Sequence, residues 1–346
     1  MVTSPLLGLP GAVAADAPDA GVAAHYGDPL REQRRLSEGD GFVDLSHRAV
    51  ITVTGPDRLS WLHSLISQHV SNLRPGEGTT GLVLSVNGHV EHVMALVDDG
   101  TTTWIHAEPG TGPVLVGFLD SMRFMLRVEV AEVTDDWAIV WQPVTTPHET
   151  LLSRVSARGR ELFVPRAELR QTAKSLGAPA GVAAYEALRV AAGEPRLGME
   201  TDHRTIPHEV GLLATAVHLD KGCYRGQETV ARVYNLGRPP RRMVLLHLDG
   251  SRESLPRPGA DIVRDGRSIG RLGTAVHHFE LGPIALAVIK RATPDGESVD
   301  VVEADGEPMV GAIEALPGLS YDDLELAPTR RPQLGVPRST LGVGSA

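Results

Sequence analysis

The chain is poor in cysteine and lysine. It has one cysteine among its 346 residues, Cys223, and three lysines, Lys174, Lys221 and Lys290. A single thiol cannot form a disulfide within the chain or supply a metal site built from several cysteines, so we expect the cytoplasm as the compartment. Because almost every basic residue is arginine, a lysine two residues before the only cysteine is unusual. The side chains of lysine and arginine differ in size and in how readily their pKa shifts.

The sequence also lacks long apolar runs, an excess of basic residues and common nucleotide or zinc motifs. No stretch reaches the roughly 18 apolar residues of a membrane span, and the apolar start MVTSPLLGLPGAVAADAP has no basic segment, so we expect neither a span nor a signal peptide. A net charge of −10 argues against a dedicated nucleic-acid binder. Neither a glycine-rich nucleotide fingerprint nor an H-E-x-x-H pattern occurs.

The pattern of strands, helices and turns predicts an α+β fold with several domains. Asn87-Gly88 predicts a hairpin within an antiparallel first half, and short strands separated by Asp-Gly turns in the last third are typical of a small closed barrel. The predicted boundaries are a disordered tail at 1–21, an α+β domain at 22–135, a second α+β domain at 136–240, a β-barrel at 241–322 and a disordered tail at 323–346.

The single cysteine lies in the segment KGCYRGQE, residues 221–228, between two glycines. A helix is predicted from Gln227 to Tyr234, because Glu228 and Arg232 have the i,i+4 spacing of an ion pair. Nearby cations and helix N-termini lower the pKa of a thiol and make it reactive. Free cysteine is also often a small buried hydrophobe. A reactive role and a packing role for Cys223 are therefore both open.

Residues 205–242, which contain this segment, resemble the signature region of YgfZ-type folate-binding proteins, relatives of the glycine-cleavage T protein, an aminomethyltransferase. Residues 24–59 resemble the N-terminal domain shared by that superfamily, and the pattern G-x-x-I-G-x-x-G ending at Gly273 resembles its C-terminal barrel. The resemblance covers roughly residues 22–320. It implies three domains arranged as a ring around a central cleft that binds tetrahydrofolate or a derivative.

The resemblance implies an accessory role in assembling or repairing iron–sulfur clusters in client enzymes, including some that modify tRNA. The implied partners are a folate-type small molecule and iron–sulfur client or carrier proteins, without direct contact to nucleic acid or membrane. A stable cluster usually needs about four cysteine ligands, so Cys223 would hold iron or a cluster only transiently. No stable metal site is expected.

The alternative is a tetrahydrofolate-dependent aminomethyltransferase or another one-carbon transferase, with Cys223 as a nucleophile. The transferases carry an Asp pair after the hairpin glycine and a pterin-contacting Glu in an Arg-x-Glu-Ala-Gly run. Here Gly88 is followed by His-Val-Glu-His-Val, with Glu91 one place early, and residues 189–193 read Arg-Val-Ala-Ala-Gly. Each lost charge-assisted hydrogen bond costs roughly 1.5–3 kcal/mol. The missing carboxylates argue against glycine-cleavage chemistry and leave open whether the protein is an enzyme.

The candidate site residues surround the cysteine. Cys223 and Lys221 are the candidate reactive pair, with Lys221 setting the thiolate pKa or holding the glutamate tail of a folate. The candidate ligand-binding residues are Glu209, Tyr224, Arg225, Gln227, Glu228 and Arg232. Glu209 would accept hydrogen bonds from a pterin edge or form a loop salt bridge. Tyr224 would stack on a pterin or pack in the core, and Gln227 and Glu228 equally fit capping of the helix.

Overall fold

The computed structural model describes residues 3–250, 254–304 and 306–319 of the chain. The amino-terminal segment is docked, which corrects the prediction of a disordered tail at 1–21. Leu6 lies in a short 3-10 helix and is fully buried in a hydrophobic core, while the Ser4 hydroxyl donates to Asp44. The segment continues through β1 (Val13–Ala14), β2 (Ala23–His25), α1 (Pro29–Ser37) and β3 (Phe42–Asp44). The tail predicted at 323–346 lies outside the described residues.

An antiparallel five-stranded sheet with two helices follows. Its elements are β4 (Ala49–Thr54), α2 (Arg58–Leu65), β5 (Gly78–Leu84), β6 (Val90–Asp98), β7 (Thr102–Ala107), α3 (Gly112–Ser121) and β8 (Glu129–Glu132). The strand order is β5-β6-β7-β4-β8. The predicted hairpin at Asn87-Gly88 joins β5 to β6, and Gly88 has the positive φ of +77° that such turns favour. Both helices pack their apolar side chains on one face of this sheet.

The second sheet also has five strands. It contains β9 (Trp137–Gln142), β10 (Ser153–Val155), β11 (Arg160–Pro165) and β12 (Pro179–Ala180), with α4 (Leu169–Ala173) and α5 (Val182–Ala191) nearby. The order is β10-β11-β9-β3-β12, so β3 from the amino-terminal segment lies inside it. The predicted boundary between residues 135 and 136 therefore does not separate the two sheets, because a long-range strand pairing of this kind leaves no local sequence signal.

A connecting segment leads into the C-terminal barrel. After a 3-10 helix at Pro207–Val210 come α6 (Leu212–Ala216) and α7 (Gln227–Leu236). The barrel strands are β13 (Arg241–Leu248), β14 (Asp261–Arg264), β15 (Arg267–His278), β16 (Gly282–Lys290), β17 (Ser298–Val302) and β18 (Met309–Glu314). They close in the order β13-β16-β15-β14-β17-β18. The predicted α+β fold with a C-terminal β-barrel is confirmed.

One hydrophobic core joins these parts. It takes residues from the first sheet, from α5, α6 and α7, and from the outer face of the barrel, including Leu84, Val190, Val230 and Leu286. Burial of apolar surface on this scale ties the units together. The chain segment that carries Cys223 crosses this shared core, and Tyr224 belongs to it.

Candidate functional site

Cys223 is exposed, on the loop that connects α6 to α7. The helix predicted from Gln227 begins there and runs to Leu236, where Gly237 ends it with a φ of +69°. Gly226, and not the cysteine, occupies the N-cap position of α7. The thiol is therefore accessible, but it lies one turn before the helix, where the backbone N–H groups of the first helical turn are not its direct neighbours.

Two glycines bring this loop against the first hairpin. Both Gly226 and Gly88 have positive φ values, +83° and +77°. A Cβ at position 226 would lie 2.6 Å from the carbonyl oxygen of Ser85, and one at position 88 would lie 2.7 Å from the Cβ of Thr229. The turn of the β5–β6 hairpin and the start of α7 are thus in backbone contact, which only glycine permits.

Lys221 is buried and points away from solvent. Its Nζ donates hydrogen bonds to the backbone carbonyls of His63, Ile66 and Gln68, at 2.6 Å for Ile66 and 3.3 Å for Gln68. These carbonyls lie at the C-terminal end of α2, where a cation is favoured. Burial lowers the pKa of Lys221 to about 8. The Lys221 ammonium anchors the cysteine loop to the end of α2. This contact explains why residue 221 is a lysine better than a role at the thiol does.

Arg225 links the loop to the hairpin strand. Its Nη1 donates to Glu91 Oε2 at 2.8 Å, and its guanidinium lies 5.6 Å from the centre of the Phe118 ring. Both charged side chains are about one-third exposed. They line a pocket of about 580 Å³ between β6, α3 and the cysteine loop, which also contains His92 and His203. Within the described residues, no group of three or more His, Cys, Asp or Glu side chains could hold a metal ion.

Glu209 forms a buried structural ion pair. Its carboxylate accepts two hydrogen bonds from Arg241, at 2.9 and 2.8 Å, and one from the backbone N–H of Ile206. Arg241 also donates to Asp202 at 2.6 Å. Because Arg241 begins the first barrel strand, this pairing joins the connecting segment to the barrel. The geometry agrees with the loop salt bridge and gives Glu209 no free acceptor directed at a ligand.

The remaining predicted residues surround the start of α7. Tyr224 is buried in the shared core, burial raises its pKa to about 12, and the Lys221 ammonium lies 5.0 Å from its ring centre. Gln227 is half-buried, whereas Glu228 and Arg232 are exposed. Within the described part of the chain Glu228 and Arg232 form no ion pair, although their spacing predicted one. Tyr224 therefore matches its packing alternative, whereas α7, among the residues that the structure describes, has neither a side-chain cap nor the predicted ion pair.

A second and larger feature is a cavity of about 660 Å³ between the two sheets and the connecting segment. The first sheet contributes Gly78–Thr80, Val93 and Ala95, and the second contributes the β10–β11 hairpin. Residues 192–197 and 210–212 supply further walls. None of the eight predicted site residues lines this cavity in the described residues. The structure therefore separates the cysteine loop from the interdomain cavity.

Charged side chains crowd the cavity wall. Five arginines and three glutamates line it: Arg48, Arg154, Arg158, Arg189, Arg196, Glu108, Glu161 and Glu194. Sequence reasoning predicted none of these as site residues, although Arg189 begins the run at 189–193 that was compared with the transferases. They come from separate segments of the chain, so no short motif contains them. The only usable signal was the comparison of that run with the transferase pattern.

An Arg–Glu–His cluster joins the two sheets at this cavity. Arg154 Nη1 donates to Glu161 Oε2 at 2.6 Å, and Arg154 Nη2 donates to the Thr80 hydroxyl at 2.5 Å. His106 Nε2 lies 4.0 Å from the same Glu161 oxygen. Burial alone would raise the pKa of Glu161, but Arg154 and His106 outweigh it and lower the pKa to about 2. Glu161 is therefore ionised at neutral pH.

Two further arginines on the wall lie against aromatic rings. The guanidinium of Arg158 is 5.6 Å from the centre of the Trp141 ring and 5.0 Å from that of Tyr185. The guanidinium of Arg48 lies 5.7 Å from the same Tyr185 ring. Stacking of this kind is favourable and fixes the orientation of the guanidinium planes. Tyr185 lies on α5, directly before the run at 189–193.

Comparison with known proteins agrees with this architecture. No protein-family model matches the chain. It is 24% identical over 323 residues to a chloroplastic protein of Arabidopsis thaliana described as a transferase, covering 80% of this chain and 71% of that protein. It is 23% identical to the aminomethyltransferase of Thermotoga maritima, covering 82% and 87% of the two chains.

A solved structure is also similar. The glycine cleavage system aminomethyltransferase T from Bartonella henselae superposes with a TM-score of 0.75 at 18% identity, covering 89% of this chain and 94% of that one. The predicted aminomethyltransferase-like fold is thereby confirmed. The sequence relatives and this fold together support membership of the aminomethyltransferase-like superfamily. They favour the transferase alternative over the YgfZ-type assignment. Among the described residues, no helix has the length and apolar character needed to cross a membrane.

Proposed function

We propose that this protein binds tetrahydrofolate or a derivative in the interdomain cavity and acts on the one-carbon unit that such a ligand carries. The observation that carries the proposal is a cavity of about 660 Å³ at the junction of the two sheets, in a chain with an aminomethyltransferase-like fold. Cofactor sites are typically about 300–1,000 Å³, mostly apolar, with a few directed polar groups. The residues present fit a ligand with a flat polar ring system and an acidic tail.

One-carbon transfer is the activity that the relatives favour, but its catalytic groups would differ from the transferase pattern. On β6 the cavity-lining residues are Val93 and Ala95, whereas Glu91 pairs with Arg225 in the neighbouring pocket. Glu91 therefore cannot replace the missing Asp in the cavity. Glu108, Glu161 and Glu194 line the cavity, and any carboxylate that the reaction needs would have to come from them.

Two measurements test this proposal. Titration calorimetry of the purified protein with tetrahydrofolate under reducing, oxygen-free conditions should give one site per chain. Incubation with tetrahydrofolate and an aminomethylated carrier should release ammonia and methylenetetrahydrofolate. No binding at millimolar ligand would overturn the whole proposal, whereas binding without product would overturn the transfer activity alone.

A second candidate is the YgfZ-type accessory role in iron–sulfur cluster assembly or repair in the cytoplasm. The observation that favours it is the exposed thiol of Cys223, held on a loop that is fixed by Lys221 and lies outside the cavity. An accessible thiolate can ligate iron or a cluster delivered by a carrier or client protein. The missing transferase carboxylates agree with this role.

Genetic rescue tests the second candidate. In a strain that lacks its own factor of this kind, the wild-type chain should restore the activity of an enzyme that needs a four-iron cluster. The Cys223→Ser variant should restore much less. Failure of the wild-type chain would contradict the role, and full rescue by the variant would remove the thiol from it.

A further inference from the structure

Two arginines on the cavity wall have buried donors without acceptors. Within the described residues, Arg158 Nη1 and Arg48 Nε are inaccessible to solvent and make no hydrogen bond. Leaving a buried donor unpaired is unfavourable, and native proteins pair the great majority of such groups. Both side chains line the same cavity, so a rotation of either guanidinium would direct these donors at a molecule bound there.

The other arginines of the wall do not share this deficit. Arg154 donates to Glu161, Arg189 donates to Glu186 and Glu200, and Arg196 donates to Glu108 and Asp19. Each thus has at least one hydrogen-bonded carboxylate. Among the arginines of the wall that the structure describes, buried donors without a hydrogen bond occur only on the two that stack on Tyr185.

The carboxylates near these two arginines form ion pairs with them but, in the described part of the chain, leave Arg158 Nη1 and Arg48 Nε without a hydrogen bond. Arg48 lies 3.5 Å from Glu108, a carboxylate that already accepts a hydrogen bond from Arg196 at 2.6 Å. Arg158 Nε forms an ion pair with Glu194 Oε2 at 2.6 Å, and the Glu194 side chain is 43% exposed. Glu194 is therefore free to move into solvent when another anion arrives.

We infer that the wall formed by Arg48, Arg158 and Tyr185 is the anion-binding subsite of the cavity, and that it takes a carboxylate end of the ligand. This inference rests on the proposed function: the group bound at the subsite is the glutamate tail of a tetrahydrofolate-type ligand. Planar guanidinium groups match carboxylates with paired hydrogen bonds. Because Ala191 replaces the pterin-contacting glutamate, recognition shifts from the pterin end of the ligand to its acidic end.

Binding of ligand fragments tests which end of the ligand the cavity recognises. The probes are tetrahydrofolate, p-aminobenzoylglutamate as the acidic end, tetrahydrobiopterin as a pterin without that end, and glutarate as a free dicarboxylate. We expect p-aminobenzoylglutamate to compete with tetrahydrofolate in calorimetric titrations, and tetrahydrobiopterin to compete at least about tenfold more weakly. Equal or stronger competition by tetrahydrobiopterin would overturn the inference, and this wild-type measurement does not depend on any variant folding.

Variants test the residue directly. Arg158→Gln should weaken tetrahydrofolate and p-aminobenzoylglutamate about tenfold or more, because hydrogen bonds to charged groups are lost. Arg158→Lys keeps the positive charge but lacks the paired N–H donors of the guanidinium. Its affinity for both ligands should lie between those of the wild type and Arg158→Gln. Arg74→Gln is the matched control, since the Arg74 side chain is 83% exposed and absent from the cavity wall.

The outcomes distinguish this inference from the proposed function. Wild-type binding of tetrahydrofolate that Arg158→Gln leaves unchanged would sink the subsite and keep the proposed function. Wild-type binding of glutarate and p-aminobenzoylglutamate without tetrahydrofolate would sink the proposed function and keep a carboxylate subsite for another ligand. Binding of none of the four probes would sink both.

Discussion

Cys223 combines an accessible side chain with a fixed backbone. The loop around it is anchored by a buried lysine on one side and by the buried ring of Tyr224 on the other. An exposed side chain between such anchors contributes little packing. The cysteine can therefore be changed without consequence for folding, and any effect of its loss reports on chemistry.

For Cys223→Ser we expect a free energy of unfolding within about 0.5 kcal/mol of the wild type, as for surface substitutions. Iodoacetamide should label the native wild-type thiol as fast as the thiol of the urea-unfolded chain, within about tenfold. Urea titration and mass spectrometry measure the two quantities. Destabilisation by more than about 2 kcal/mol, or protection of the native thiol, would assign the cysteine to packing.

Lys221, in contrast to Cys223, has a structural role, because its buried ammonium donates hydrogen bonds to backbone carbonyls. Replacing it by Met leaves the carbonyls at the end of α2 without their donor, and charge-assisted hydrogen bonds are worth about 1.5–3 kcal/mol each. We expect Lys221→Met to lose about 3 kcal/mol of unfolding free energy in urea titrations. Lys290→Met, at an exposed lysine that bonds a single carbonyl, is the control. Equal stability of the two variants would refute the anchoring role.

At the scale of elements, the contact between the β5–β6 hairpin and α7 decides how the cysteine loop is held. Gly226→Ala would place a Cβ 2.6 Å from the carbonyl oxygen of Ser85 on a backbone with positive φ. We expect a loss of about 1–3 kcal/mol, measured by thermal unfolding, with faster hydrogen exchange in α7.

Gly222→Ala is the matched control for this prediction. Gly222 lies in the same loop, has no heavy atom within 4 Å of an added Cβ, and has no left-handed φ. Its substitution should change the stability by less than about 0.5 kcal/mol. If both alanine variants unfold at the same temperature, backbone contact between hairpin and helix is not what requires glycine.

Local patterns predicted the elements that have local causes. The Asn87-Gly88 hairpin and the helix beginning at Gln227 are both present, because turn residues and helix signals act over a few residues. The helix runs to Leu236, past the predicted end at Tyr234. Strand β3, by contrast, was assigned to the first domain although it pairs with β9 and β12 of the second sheet. That placement depends on long-range pairing, of Val43 with Trp141 and of Phe42 with Pro179.

For the candidate site too, residues close in sequence could be predicted and residues far apart in sequence could not. The cysteine loop was found because its residues are consecutive, whereas the interdomain cavity was not, because residues as distant as Arg48 and Leu316 meet there. The family resemblance predicted a central cleft but placed the ligand contacts at the loop. Burial of Lys221 and Glu209 in structural contacts could not be known from charge and spacing alone.

At the scale of the whole molecule, charge pairs across the cavity connect the two sheets. Arg154 and Glu161 belong to the second sheet, while Thr80 and His106 belong to the first. Because these contacts join side chains of both sheets, this cluster holds the sheets together at the cavity. Its strength should depend on pH.

Glu161→Gln tests that dependence. The folded pKa of Glu161 is lowered from 4.5 to about 2, so its stabilisation is present above about pH 4.5 and is lost as the pH falls through about 2. Near pH 7 the variant should be less stable on the order of 3 kcal/mol, and the difference should shrink towards pH 2–3. Urea unfolding at several pH values measures it, with the exposed Glu129→Gln as control. A pH-independent difference would contradict the role of the ionised carboxylate.

The most direct test is where tetrahydrofolate binds. Calorimetric titration should compare Ala95→Trp, which fills the interdomain cavity from β6, with Cys223→Ser, which alters only the exposed loop. The cavity proposal predicts that Ala95→Trp abolishes binding while Cys223→Ser binds as tightly as the wild type. Unchanged binding by a folded Ala95→Trp variant, together with loss of binding in Cys223→Ser, would contradict it and place the ligand at the cysteine loop.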